Sequence, residues 1–218
     1  MRINVSEALR YLGAGNADEE TRRAMEWTAE DVTSRLSPRF TFRVFCVEHT
    51  SKGVLLPEAN LLLPGKLAET MLTGCGRAVL LCCTLGAEFD RLLRMAQARD
   101  MAKAAMLNAC GSAYVEAGCE EAEREIAARY PGLYLTDRFS PGYGDLPLSV
   151  QPDLLNALNA EKRLGVTLTD TCLMLPAKSV TAVIGLSDTP QPARIRGCGY
   201  CTFKGNCAYR ERGVRCGV

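Results

Sequence analysis

"VTLTDTCLMLPAKSVTAVIGLSD" fills residues 166–188, and its reading decides the fold. β-Branched residues crowd both halves, and Pro176 divides them, because proline cannot donate to a ladder and marks the end or edge of a strand. Two β-rich pieces are therefore expected late in the chain. Just before them, "QPDLLNALNAEKRLG" at 151–165 reads as a helix, with Pro152 in its first turn and Gly165 as its C-terminal stop. Residues 86–130 are almost continuously helix-compatible: Phe89, Leu92, Leu93 and Ala96 form one apolar stripe, and a second stretch begins near Asp100. Upstream, "AVLLCCTLG" at 78–86 is a short, doubly apolar strand that carries Cys82 and Cys83 into the core. "FTFRVFCVEH" at 40–49 alternates, with Phe40, Phe42, Val44 and Cys46 on one face. Helices at 6–13 and 18–36 come first; in the second, Met25, Ala29, Val32 and Leu36 recur near the 3.6-residue period. Strands this far apart in sequence predict an α+β domain, a mainly antiparallel twisted sheet packed with helices, and not a doubly wound parallel one.

The chain has 218 residues, 47% of them hydrophobic, enough for one sizeable core with an appendage. The expected organisation is a domain over 1–190 and a small cysteine-rich tail over 191–218. Net charge is +1, but the tail holds six basic residues against the single acid Glu211, so it carries +5 and the remainder −4. That balance gives no reason to expect a nucleic-acid or membrane partner. No apolar run approaches the roughly 20 residues that span a bilayer, and "MRINVSEALR" lacks the apolar region of a secretory signal, so a cytoplasmic location is expected. "GAGNAD" at 13–18 follows a helix and lacks a third glycine, so it reads as a connecting loop and not as a dinucleotide fingerprint. The sole histidine, His49, reads as a solvated residue at a strand end, unable to make a histidine-ligated metal site alone.

Eleven cysteines in a reducing compartment are small buried residues, ligands or redox groups, and spacing separates them. Cys198, Cys201, Cys207 and Cys216 in "CGYCTFKGNCAYRERGVRC" are flanked by glycines and cations, without apolar periodicity. Four thiolates so placed read as a metal site, either a [4Fe-4S] cluster or zinc, with the cations offsetting their charge. Cys198 and Cys201 also have the spacing of a redox dithiol, without the strand-to-helix context such a motif needs.

Two further stretches carry chemistry. "MLNACGSAYVEAGCEEAERE" at 106–125 is rich in small residues, which lets a backbone or a ligand approach the helix closely. Glu116 shares its face with Ser112, Ala109 and Cys119, and the plainer reading is a solvated acidic face continuing into Glu120, Glu121 and Glu123. "DRFSPGYGDLPLS" at 137–149 interrupts the helical pattern with Pro and Gly between an Arg and a Tyr.

Taken together, "YVEAGCEEAE", "RFSPGY" and "LGVTLTDTCLMLPAKSV" resemble the activation domain of cobalamin-dependent methionine synthase, in that family's order and near its spacing. The resemblance implies S-adenosylmethionine binding by Arg138, Ser140 through its main chain, Gly142 and Tyr143, with Glu116 as a further contact. The chemistry suits those residue types. A guanidinium fork takes a carboxylate, an aromatic covers adenine, and a carboxylate accepts from an ammonium or ribose hydroxyls. Gly142 allows backbone to approach the ligand. Two departures stand out: "GLSDTPQPA" has no Tyr where the family places one, and Lys178 replaces a small residue in the Pro-x-x-Ser-Val loop.

The implied function is reductive reactivation of cob(II)alamin, with the cobalamin on a separate methionine synthase chain or another corrinoid protein, and a flavodoxin-like reductant as a possible electron source. No nucleophile–base pair is needed, because the contribution of such a module is alignment. Two alternatives stay open on the residues alone: an iron–sulfur electron-transfer module, and a zinc-stabilised adaptor for a corrinoid protein.

Overall fold

A computed structural model describes residues 1–192. The chain begins with two helices, α1 (Val5–Tyr11) and α2 (Glu19–Arg35), each started by a side-chain cap: Asn4 accepts from the Glu7 amide and Asp18 from the Thr21 amide. Strand β1 (Arg39–Cys46) follows, then a three-stranded meander of β2 (Glu48–Thr50), β3 (Gly53–Leu56) and β4 (Leu61–Leu63). Helix α3 (Lys66–Leu72) leads to β5 (Arg77–Thr84), α4 (Ala87–Gln97) and the long α5 (Met101–Arg129). After β6 (Tyr134–Leu135) come α6 (Gln151–Leu158), α7 (Ala160–Leu164), the hairpin strands β7 (Thr167–Leu168) and β8 (Met174–Leu175), and β9 (Ser179–Ser187).

The main sheet has the order β1-β5-β9-β6 with every pairing antiparallel, so the α+β expectation holds. Alternation along β5 explains its doubly apolar sequence. Val79, Leu81 and Cys83 enter one core with α1, α2, α4 and α5, while Ala78, Leu80 and Cys82 enter a second with the meander, α3, α6 and α7. The chain is thus layered as helices, sheet, and a mixed layer of helices and short strands.

Several local expectations are refined. In β1, Phe40, Phe42 and Val44 do share the face toward α5, but Phe45 on the opposite face is buried in the second core. The expected helix at 151–165 is two helices, broken where Asn159 adopts φ 53°. The first β-rich piece at 166–188 is the β7–β8 hairpin and the second is β9. His49 is exposed, as expected, but within the short strand β2. Among the described cysteines, Cys75, Cys82, Cys83, Cys110 and Cys119 are buried, as small apolar residues are. Cys198, Cys201, Cys207 and Cys216 lie outside the described residues. No helix among the described residues is long and apolar enough to cross a membrane.

Candidate functional site

Helix α5 is the platform. Asp100 caps it, its carboxylate accepting from the Ala102 and Lys103 amides at 2.9 and 3.0 Å. The small residues at its centre serve protein packing: a Cβ on Gly111 would stand 2.2 Å from the Phe89 ring, and one on Gly118 would stand 2.5 Å from Pro38 and 2.7 Å from the Cys83 sulfur. Close approach to the sheet thus defines the inner side. Ala109 and Cys119 are buried on it, while Ser112, Glu116 and Glu123 remain partly accessible.

Residues 134–139 run antiparallel beside β9. The Thr136 amide donates to Gly185, and Phe139 exchanges two hydrogen bonds with Val183, at 3.0 and 2.7 Å. Side chains on such a segment alternate between faces, so burying Phe139 in the second core sends Arg138 to the opposite side, toward α5. There the two terminal guanidinium nitrogens of Arg138 donate to Glu116 and to Glu123. The Arg138 side chain keeps only 12% of its exposure, and those of Glu116 and Glu123 keep 28% and 21%. Burial opposes the guanidinium charge, but the facing Glu123 and Glu116 carboxylates outweigh it and hold the group more firmly protonated than an ordinary arginine.

The following residues form a tight turn. The Tyr143 amide donates to the Ser140 carbonyl at 3.1 Å, with Pro141 second and Gly142 third at φ 92°, the residue pattern of a type II turn. The Ser140 hydroxyl donates to the Thr181 carbonyl at 2.6 Å and fastens the turn to β9. Gly142 closes the loop by donating to the Leu146 carbonyl at 2.8 Å. Tyr143 is left 62% exposed. Asp145 then fastens the loop to α3, accepting from the Lys66 and Leu67 amides at 2.7 and 2.9 Å. Gly65, the N-cap of α3, offers no side chain of its own, so a distant carboxylate fills the cap.

Residues 78–195 match the family described as "Vitamin B12 dependent methionine synthase, activation domain". The chain belongs to this activation-domain family. Among solved structures, a crystal structure of the MetH reactivation domain bound to AdoHcy is similar to it, with a TM-score of 0.60, 18% sequence identity, and coverage of 89% of this chain and 73% of that one. That likeness is one of fold. Comparison with curated protein sequences gave no match.

Within this activation domain, Glu116 and Arg138 are brought into contact although 22 residues separate them, and Ser140, Gly142 and Tyr143 form one turn directly after Arg138. The Arg138 fork, which the resemblance assigns to the ligand, donates from both terminal nitrogens to protein carboxylates, using two of its five N–H donors. Glu123, read from sequence as part of a solvated face, is the second of these. Its spacing of seven from Glu116, two turns along one side of a helix, was the available signal. Near this group, burial raises the pKa of the Tyr11 hydroxyl, and the negative charge of Glu116 adds to the shift. Lys178 immediately precedes β9, with Nζ donating to the Ser112 hydroxyl at 2.8 Å, one turn of α5 before Glu116.

Proposed function

We propose that this activation domain binds S-adenosylmethionine beside Glu116, Arg138 and the turn Ser140–Gly142–Tyr143, and that it serves reductive methylation of cob(II)alamin carried by a separate methionine synthase chain or related corrinoid protein. The observation that carries the reading is the Glu116–Arg138 contact. It joins two of the residues that the family resemblance assigns, from distant parts of the sequence, immediately before the turn that holds the others. AdoHcy, the demethylated form of S-adenosylmethionine, bound to a protein of similar fold supports the same ligand class.

The chemistry asks little of the side chains. One electron takes cob(II)alamin to cob(I)alamin, which displaces the sulfonium methyl to give methylcobalamin and S-adenosylhomocysteine. No proton moves, so neither a general acid nor a base is required. This chain contributes alignment. Arg138 holds the Glu116 carboxylate in place, leaving acceptor capacity for an ammonium or ribose hydroxyl. The exposed Tyr143 ring offers a face for adenine, and Gly142 presents a backbone without a Cβ.

The tail over 191–218 is proposed as a separate small unit whose cysteines 198, 201, 207 and 216 hold a [4Fe-4S] cluster or zinc, on the strength of their spacing alone. An iron–sulfur tail would relay the electron that a flavodoxin-like donor otherwise supplies. Metal analysis and the visible spectrum of anaerobically purified protein separate iron, zinc and neither.

The functional test is reconstitution. A cobalamin-carrying methionine synthase chain without an activation domain, poised as cob(II)alamin with S-adenosylmethionine and reductant, is expected to form methylcobalamin when this protein is added. An unchanged cob(II)alamin spectrum with folded protein present would refute the assigned role.

A further inference from the structure

The Arg138 guanidinium faces two protein carboxylates. With Glu116 and Glu123 it forms a group of two carboxylates and one cation, net −1, and both terminal nitrogens already donate to protein. An amino-acid ligand placed there brings an ammonium, which that negative group attracts, and a carboxylate, which it repels. A second cation on the other side of the ligand would offset that repulsion.

Lys178 has the placement. Its Nζ hydrogen-bonds Ser112, which lies one turn N-terminal to Glu116 on the partly accessible side of α5, so the ammonium and the Glu116 carboxylate stand in succession along one helix. The lysine is fixed at both ends. Its carbonyl accepts from the Leu85 amide at 2.9 Å, and Ser112 holds its tip. Lys178 forms no salt bridge among the described residues, and an ammonium carries three donors, of which Ser112 takes one. Burial lowers its pKa, with Asp90 partly supporting the charge, which is the state of a cation lacking a contacting anion.

Resting on the ligand reading above, we propose that Lys178 takes the carboxylate of the ligand's methionine portion while Glu116 takes its ammonium, with Arg138 acting as the clamp that sets Glu116. The ligand's amino-acid end would then lie along α5 between residues 112 and 116, its two charges matched in order. Lys178 in the Pro-x-x-Ser-Val loop makes this a property of the present chain.

Calorimetric titration with S-adenosylmethionine and with decarboxylated S-adenosylmethionine, which differs only in lacking the carboxylate, tests the assignment. The wild-type protein should prefer the former by roughly 10-fold or more, the scale of one charge-assisted hydrogen bond. In Lys178→Met that preference should vanish through loss of S-adenosylmethionine affinity alone, and Lys178→Arg should restore much of it. A preference that survives in Lys178→Met overturns the assignment and leaves the ligand reading standing. Binding of neither compound to folded wild-type protein overturns both.

Discussion

Glu116 and Glu123, seven residues apart on α5, each accept a hydrogen bond from a different terminal nitrogen of Arg138, so a single guanidinium spans two turns of the helix. The clamp ties the segment beside β9 to the helical layer across the sheet. Removing Arg138 strands two partly buried carboxylates near each other. Arg138→Met is expected to lose about 3 kcal/mol in urea unfolding, the lower end for breaking a buried ion pair. Adding Glu116→Gln and Glu123→Gln should recover much of it. A loss under about 1 kcal/mol, typical of an exposed pair, would show that the clamp is not structural.

Gly118 sets how near α5 lies to the sheet. Alanine is the better helix former by about 1 kcal/mol, yet its methyl would meet Pro38 at 2.5 Å and the Cys83 sulfur at 2.7 Å. Overpacking should win, and Gly118→Ala is expected to destabilise by about 1–3 kcal/mol. A thermal midpoint at or above wild type would contradict the close approach.

Asp145 titrates against the helix it caps. The Leu67 and Lys66 amides hold its carboxyl below the ordinary aspartate value of 3.8. A carboxylate so depressed stabilises the fold above its unfolded pKa, and that contribution is lost as pH falls through the native value. Asp145→Asn should therefore be less stable than wild type at neutral pH, with the gap closing in acid. Urea midpoints for the pair across acidic pH check this, and a gap independent of pH would argue against the cap.

Lys178 has the opposite linkage. Its pKa is lowered by burial from 10.5, so the unfolded chain binds the proton more tightly. Protonation therefore costs stability below the native pKa, and wild type should gain stability as pH rises from that value toward 10.5. Lys178→Met should lack this gain. Equal alkaline slopes for the two proteins would place Lys178 in solvent.

The parts of the fold legible in sequence were those with long or doubled patterns. In β5, "AVLLCC" is apolar on both faces because both faces are covered, and α5 begins where Asp100 stands as a cap. The meander at 48–63 and α3 escaped notice because strands of three or four residues and a seven-residue helix hold too few repeats to establish a period. Phe45 was not read as core because Thr41 and Arg43, which share its face of β1, are polar, although Thr41 and Phe45 are both buried. At the site, the turn after Arg138 was legible from Ser-Pro-Gly-Tyr. The role of Glu123 was not, because its partner lies 15 residues on, beyond the helix, and only folding reveals the pair. Asp145 is a similar case, since it caps a helix whose own N-terminus offers only Gly65.

The most direct measurement is calorimetric titration of S-adenosylmethionine into the purified full chain, with Glu116→Ala alongside and circular dichroism to verify that both are folded. The account predicts saturable binding at one site per chain in the wild type, weakened at least roughly 10-fold in the variant by loss of a charge-assisted contact. No binding by folded wild-type protein, or equal binding by both, would contradict it.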